Sequence, residues 1–296
     1  MGESTHSIGQ QAIAPASGDG LSRRGFLSGL FGAAGVLGLP PVSAVAVGPA
    51  TVLLSTRQRA FALAYDDRKF GTVQVLEAQS IAMVDAAGHR FVLQLGSLQP
   101  LRSVHAAWMA SATELLLLDA RASRLHRYTI DGIALGCSRI RAQPLLAATG
   151  CADGAGGSYV SLPSDHQIAR LSPSGEVLQR FGQMGAASGQ FNYPTALARC
   201  SDGTLLVANT GNRRIDLYSA DGRFRGTLAR FKFMPRHLAF SGEMVAVYDA
   251  QDNRIFMLSA HTGQLMDSVK LAELHPKPIH GRALTTAGAQ RFLVSV

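Results

Sequence analysis

Short apolar-rich runs of four to six residues recur along most of the chain, each closed by a small cluster of turn-forming residues. Thr204–Ala208 and Ile215–Tyr218 are two such runs, bounded by Ser201-Asp202-Gly203 and Ala220-Asp221-Gly222. Runs this short, rich in Leu, Val, Ile and Tyr and punctuated by Asp-Gly, predict β-strands joined by tight turns rather than helices. The order of runs and turns returns with a period near 40 residues from about Pro100 onward. A period of that length marks a repeat architecture, so it is read before any single motif.

The copies differ in clarity. Residues 233–269 carry Met234-Pro235-Arg236-His237-Leu238-Ala239, then the runs Met244–Asp249 and Arg254–Leu258. Residues 143–182 follow the same plan through Pro144, Asp153-Gly154, Ser158–Leu162, Ile168–Leu171 and Glu176–Phe181. Residues 104–140 do so through Glu114–Asp119, Arg124-Leu125 and Asp131-Gly132. Residues 60–96 are degenerate but keep four strand-like runs: Phe61–Tyr65, Thr72–Leu76, Ile81–Val84 and Phe91–Leu95.

The clearest copy begins Gly189-Gln190-Phe191-Asn192-Tyr193-Pro194-Thr195-Ala196-Leu197-Ala198. It continues through Asp202-Gly203 and Leu205-Leu206-Val207-Ala208-Asn209 to Asn212-Arg213-Arg214-Ile215. It resembles an NHL repeat almost throughout, with Ala196 where that family usually has Gly and Asn209 where it usually has Asp. The resemblance implies an all-β, six-bladed β-propeller over residues 47–296. Five copies are accounted for, and the C-terminal runs Arg282–Thr286 and Arg291–Val296 make only half of a sixth. Thr51–Ser55 is one spare run near the other end, so the closing blade is expected to combine N- and C-terminal strands and leave no open sheet edge. Within the repeat, Asn209 is expected to bond backbone N–H groups of its turn, and Arg214 to tie blades together with its planar fork.

The first 46 residues do not fit the repeat. Ser22-Arg23-Arg24-Gly25-Phe26-Leu27 resembles the twin-arginine export signal, and the apolar stretch Gly25–Leu39 follows it, closed by Pro40-Pro41. Ala44-Val45-Ala46 is a small-x-small cleavage pattern, and a cut after Ala46 is expected. The apolar stretch has 15 residues, whereas a spanning helix needs about 20, so no stable membrane span is expected in the mature form; the alternative is an uncleaved anchor, since no charge occurs between Gly25 and Thr56. Residues 1–46 carry Glu3, Asp19, Arg23 and Arg24, so their removal leaves the net charge of +8 unchanged. The resemblance implies passage through the Tat translocase as folded cargo and a periplasmic or secreted, monomeric protein.

Charge narrows the partners. The chain has 24 Arg and 4 Lys against 20 acids, an excess that attracts anions. No block of five basic residues occurs, which argues against a nucleic-acid partner. The three cysteines, Cys137, Cys151 and Cys200, have no metal-type spacing. Cys151 and Cys200 fall in the same turn of neighbouring repeats, too far apart to bridge.

No HExxH, GxSxG, P-loop or dinucleotide-binding pattern is present. The residue after the Pro of the best copy starts the innermost strand, and its equivalents are His105, Leu145, Thr195, Arg236 and Arg282. Tyr193, His237 and His280 adjoin them. One end of the channel is therefore expected to gather Arg236, Arg282, His105, His237, His280 and Tyr193. That set suits a protein or small-molecule ligand bearing an anionic group, since Arg grips carboxylate or phosphate with two bonds. Neutral imidazoles there could instead hold a channel metal ion. Two functions follow: a binding or scaffold module, or a metal-dependent enzyme similar to the propeller amidating lyases or lactonases. His89, His126, His166, His261 and His275 are expected in outer strands or turns, with surface roles only.

Overall fold

The computed structural model describes residues 43–47, 50–55, 63–66, 70–75, 80–85, 90–96, 101, 104–111, 113–119, 122–140, 149–274, 283–286 and 291–295. The chain divides into two units, 1–35 and 36–296, and every described residue belongs to the second. The export signal, from Ser22 to Leu27, lies outside the described residues, as do His89, His275, His280 and Arg282.

Twenty-four strands pair into six four-stranded sheets among the described residues. At the N-terminal end lie β1 (Ser43–Val47) and β2 (Ala50–Ser55). The next sheet comprises β3 (Leu63–Asp66), β4 (Phe70–Val75), β5 (Ser80–Asp85) and β6 (Arg90–Gln94). It is followed by β7 (Val104–Ser111), β8 (Glu114–Asp119), β9 (Arg124–Thr129) and β10 (Ala134–Arg139). Then come β11 (Gly150–Ala152), β12 (Ser158–Leu162), β13 (Gln167–Leu171) and β14 (Val177–Phe181). The clearest sequence repeat forms β15 (Pro194–Arg199), β16 (Leu205–Asn209), β17 (Arg214–Tyr218) and β18 (Phe224–Arg230). The fifth is β19 (His237–Ser241), β20 (Met244–Asp249), β21 (Arg254–Ser259) and β22 (Leu265–Lys270). Within each of these sheets consecutive strands pair antiparallel, so first and third strands run one way and second and fourth the other.

The four sheets from β7 to β22 are described with their side chains, and they stack face to face as propeller blades. The second strand of each blade shows why. Leu115 and Leu117 of β8 pack toward Leu95 and Tyr128, while Leu116 and Leu118 face Trp108, Val160 and Leu162. In β16, Leu205 and Val207 join Tyr159 and Phe191, and Leu206 and Ala208 join Val245 and Val247. In β20, Val245 and Val247 complete that seam, and Ala246 and Tyr248 pass into the next with Phe292. Side chains alternate along a strand, so a continuous apolar run buries both faces at once. The molecule is thus an all-β propeller with its core divided into seams between blades.

The remaining sheet has the order β1-β2-β24-β23, with β23 (Ala283–Thr286) and β24 (Arg291–Ser295) from the C-terminal end. It departs from the sequence expectation in two ways. A second N-terminal strand is present, β1, paired antiparallel with β2 through Ser43↔Leu54 and Val45↔Val52. It covers the expected cleavage point, so a cut after Ala46 would take Ser43–Ala46 out of the sheet. In addition, β2 runs parallel to β24, through Thr51↔Arg291 and Leu53↔Leu293. Connectivity explains the direction. In the other blades the chain leaves a fourth strand at the end where the next first strand begins. β2 feeds β3 and so must run in the sense of a fourth strand, although it occupies the third place.

Candidate functional site

The sequence placed a binding site where the innermost strands begin. Of its six residues, the side chains of Tyr193, Arg236 and His237 are described; His105 is described only as backbone within β7, and His280 and Arg282 lie outside the described residues. The connector from β18 to β19 brings Arg236 to this end. Thr195 Oγ1 donates to the Arg236 carbonyl at 2.9 Å, and Thr210 Oγ1 donates to the Pro235 carbonyl at 2.7 Å. Thr195 therefore ties two blades and, being buried, is not a free channel group. Arg236 is exposed, and no carboxylate pairs with it among the described residues.

His237, the first residue of β19, is half-buried, its ring 6.2 Å from that of Tyr248. Burial, helped by the neighbouring Arg236 charge, pulls its pKa down from 6.5 to about 4. The imidazole is consequently neutral at physiological pH, able to donate and accept but not to attract an anion by charge.

Tyr193 stands at the same end, 47% exposed, with a left-handed backbone at φ 55°. A bulky residue before proline does not choose that conformation. It is held there from both sides: the Tyr193 N–H donates to His166 Nδ1 at 3.1 Å, and the Asn192 N–H donates to Asn209 Oδ1 at 2.8 Å. His166 thus has a structural duty beyond the surface role expected of it, because its turn brings Nδ1 to the next blade's entry.

The loop entering this blade is fastened by a buried polar network. Arg214 donates to the carbonyls of Ala186, Ala187 and Gln190 and to Asp216 Oδ2. Asn209 Nδ2 donates to Gln190 O and Asp216 Oδ2, and Thr227 Oγ1 to Asp216 Oδ1. Arg214 ties β17 to the connector that enters its own blade, where the expectation was a tie between blades. Asn209 serves the incoming loop rather than its own turn, because the β16–β17 turn lies directly beneath that loop.

His126 requires a correction. It is 1% exposed rather than on the surface, because β9 presents it to a neighbour across the ladder. Its Nε2 lies 3.8 Å from Cys137 Sγ, and burial lowers its pKa. All three cysteines are free thiols. Cys151 and Cys200 pack into different seams, and burial pushes both pKa values up to about 12, so neither is a nucleophile. Among the described residues no three His, Cys, Asp or Glu side chains converge to hold a metal ion. No helix among them is long and apolar enough to cross a membrane.

At the opposite end of β15 is a group that the sequence reading missed. Arg199 lies between the turns of two blades, and its Nε–H is buried with no hydrogen-bond partner among the described residues. Neighbouring carboxylates are committed elsewhere. Asp153 accepts from the Ala155 and Gly157 N–H groups and from Arg170 Nε and Nη2. Burial pushes the Asp153 pKa up, but these bonds outweigh it and hold the carboxyl below its ordinary value. Asp202 accepts from the Thr204 N–H and hydroxyl, which lower its pKa as well.

No family model matches the chain. Over 46 residues, 16% of this chain, it is 39% identical to the B-box type zinc finger protein ncl-1 of Caenorhabditis elegans and 37% identical to Protein brain tumor of Drosophila melanogaster. The match spans only 5% and 4% of those relatives' lengths. Among solved structures, virginiamycin B lyase from Staphylococcus aureus has a TM-score of 0.56 at 15% identity, covering 77% of this chain and 74% of that one. A chain of the nidogen/laminin complex has a TM-score of 0.57 at 14% identity, covering 80% and 84%. At these identities the likeness is one of fold, and it includes both a lyase and a chain of a protein–protein complex.

Proposed function

We propose that this protein is an exported, six-bladed propeller of the NHL type that binds an anionic group of a protein or small molecule at the end where its innermost strands begin. Support for the blade count comes from the six sheets and from the contacts of their first strands, which run in series from β3 through β7, β11, β15, β19 and β23 back to β3. Support for binding rests on one observation above all. Arg236 is held on a connector tied to Thr195 and Thr210, yet its guanidinium is exposed without a carboxylate partner among the described residues. A cation fixed by its backbone but left without a counter-charge is prepared for an anion from outside. Tyr193, pinned at the start of the neighbouring blade, adds an exposed amphipathic ring at the same end.

A metal-dependent enzyme is favoured by a different feature, the neutral imidazole of His237, which suits a nitrogen ligand. That function needs His105 and His280 to converge with it, and the binding module needs no such convergence. Thermal-shift measurements with acetate, phosphate and sulfate at constant ionic strength separate the outcomes. The wild type should be stabilised by at least one of these anions, and Arg236→Ala with Arg282→Ala should abolish the effect while leaving the protein folded. With Arg236 exposed, each lost charge-assisted bond is worth about 1 kcal/mol or less. Absence of any stabilisation, or an equal response in the double variant, would refute binding at this end.

A further inference from the structure

We propose a second binding site, for a single carboxylate, in the seam between the third and fourth blades at the far end of β15, with Arg199 as its receptor. It is separate from the Arg236 end and does not depend on it. Three features converge on Arg199. The first is placement: Gly154 and Gly203 both adopt left-handed turns, at φ 79° and 88°. A Cβ on Gly154 would stand 2.7 Å from Arg199 Nη1 and 2.8 Å from Cζ, and one on Gly203 would stand 3.3 Å from Nη2. The guanidinium therefore lies against two turns from adjacent blades and occupies the place a side chain at position 154 would take.

The second feature is an unmet bond. Arg199 Nε is buried without an acceptor, and no ion pair neutralises the guanidinium among the described residues. Buried donors are almost always satisfied, so one left over asks for an acceptor from outside. The third is charge. Asp153 is matched by Arg170, and Asp202 has Arg225 close to its Thr204 partner, at 3.5 Å from the Thr204 hydroxyl. One net positive charge remains. A planar fork carrying a single charge, with two ionised carboxylates nearby to repel a dianion, selects a planar monoanion: a carboxylate rather than phosphate or sulfate.

The test follows the backbone amides of Gly154 and Gly203 by NMR during titration with sodium acetate. A tetrapeptide with a free C-terminal carboxylate, compared with its amidated form, provides the second arm. Both amides should shift saturably with acetate in the wild type and in Arg236→Ala, and far less with sulfate. Arg199→Lys keeps the charge but loses the fork and should weaken binding about tenfold, and Arg199→Met should abolish it. Because the Arg199 side chain has no hydrogen-bond partner among the described residues, Arg199→Met should keep the wild-type melting temperature, which separates a receptor from a structural strut. Tighter binding of the free peptide than of acetate assigns the site to a partner's chain, and the reverse assigns it to a small carboxylate. Absence of a saturable shift with either probe, or the same shift in Arg199→Met, would overturn the proposal.

Discussion

His237 owes its neutrality to position rather than to residue type, and this has a measurable consequence. Its pKa is about 4 in the folded protein against 6.5 for an ordinary histidine, with burial against Tyr248 and the adjacent Arg236 charge as the causes. Between those values the unfolded chain takes up a proton that the folded one refuses, so stability falls as pH drops below about 6.5 and is unaffected above it. Denaturant titrations at pH 7 and pH 5 should show a loss of about 1 kcal/mol, allowing for partial exposure, that His237→Gln removes. An unchanged slope in the variant would place the imidazole in water. Other residues differ in how far their sequence context disclosed them. Asn209 and Arg214 occupy repeat positions, so a structural role was legible, but their partners in the loop entering the blade were not. The roles of His126 and Arg199 were not legible, since the ladder partner of the first lies on another strand and the Gly154 turn against the second comes from another blade.

Strands were the most legible elements, because apolar runs between Asp-Gly turns have few other uses. The closing hairpin was only half legible. Thr51–Ser55 stood out as a spare run, whereas Ser43–Val47 is composed of small and apolar residues that equally suit the end of an export leader. The β2–β24 pairing also makes a prediction at this scale. β1 pairs only with β2, but β2 covers the edge of β24. Deleting residues 43–49 should therefore cost little, while deleting 43–55 uncovers the β24 edge and should lower the melting temperature by several degrees and promote aggregation. Equal melting curves for the two truncations would show that β2 does not close the sheet.

At the scale of the whole molecule, the proposed export leader and the propeller would make different demands on one N-terminal stretch. If Arg23 and Arg24 direct export of a folded chain, replacing both by Lys should leave full-length protein in the cytoplasm, as read by fractionation and intact mass. Normal delivery of that double variant would refute the export route. From sequence alone came the β-class, the repeat period and the pairing of the two chain ends, because the first two are written in apolar runs and turn chemistry and the third follows from counting strands per repeat. Tertiary structure decided which seam each alternate side chain enters, the third place and parallel sense of β2, and the identity of the unpaired cations. Those depend on what stands opposite a residue across a ladder or a seam, and two positions dozens of residues apart carry no sign of that in the order of the chain.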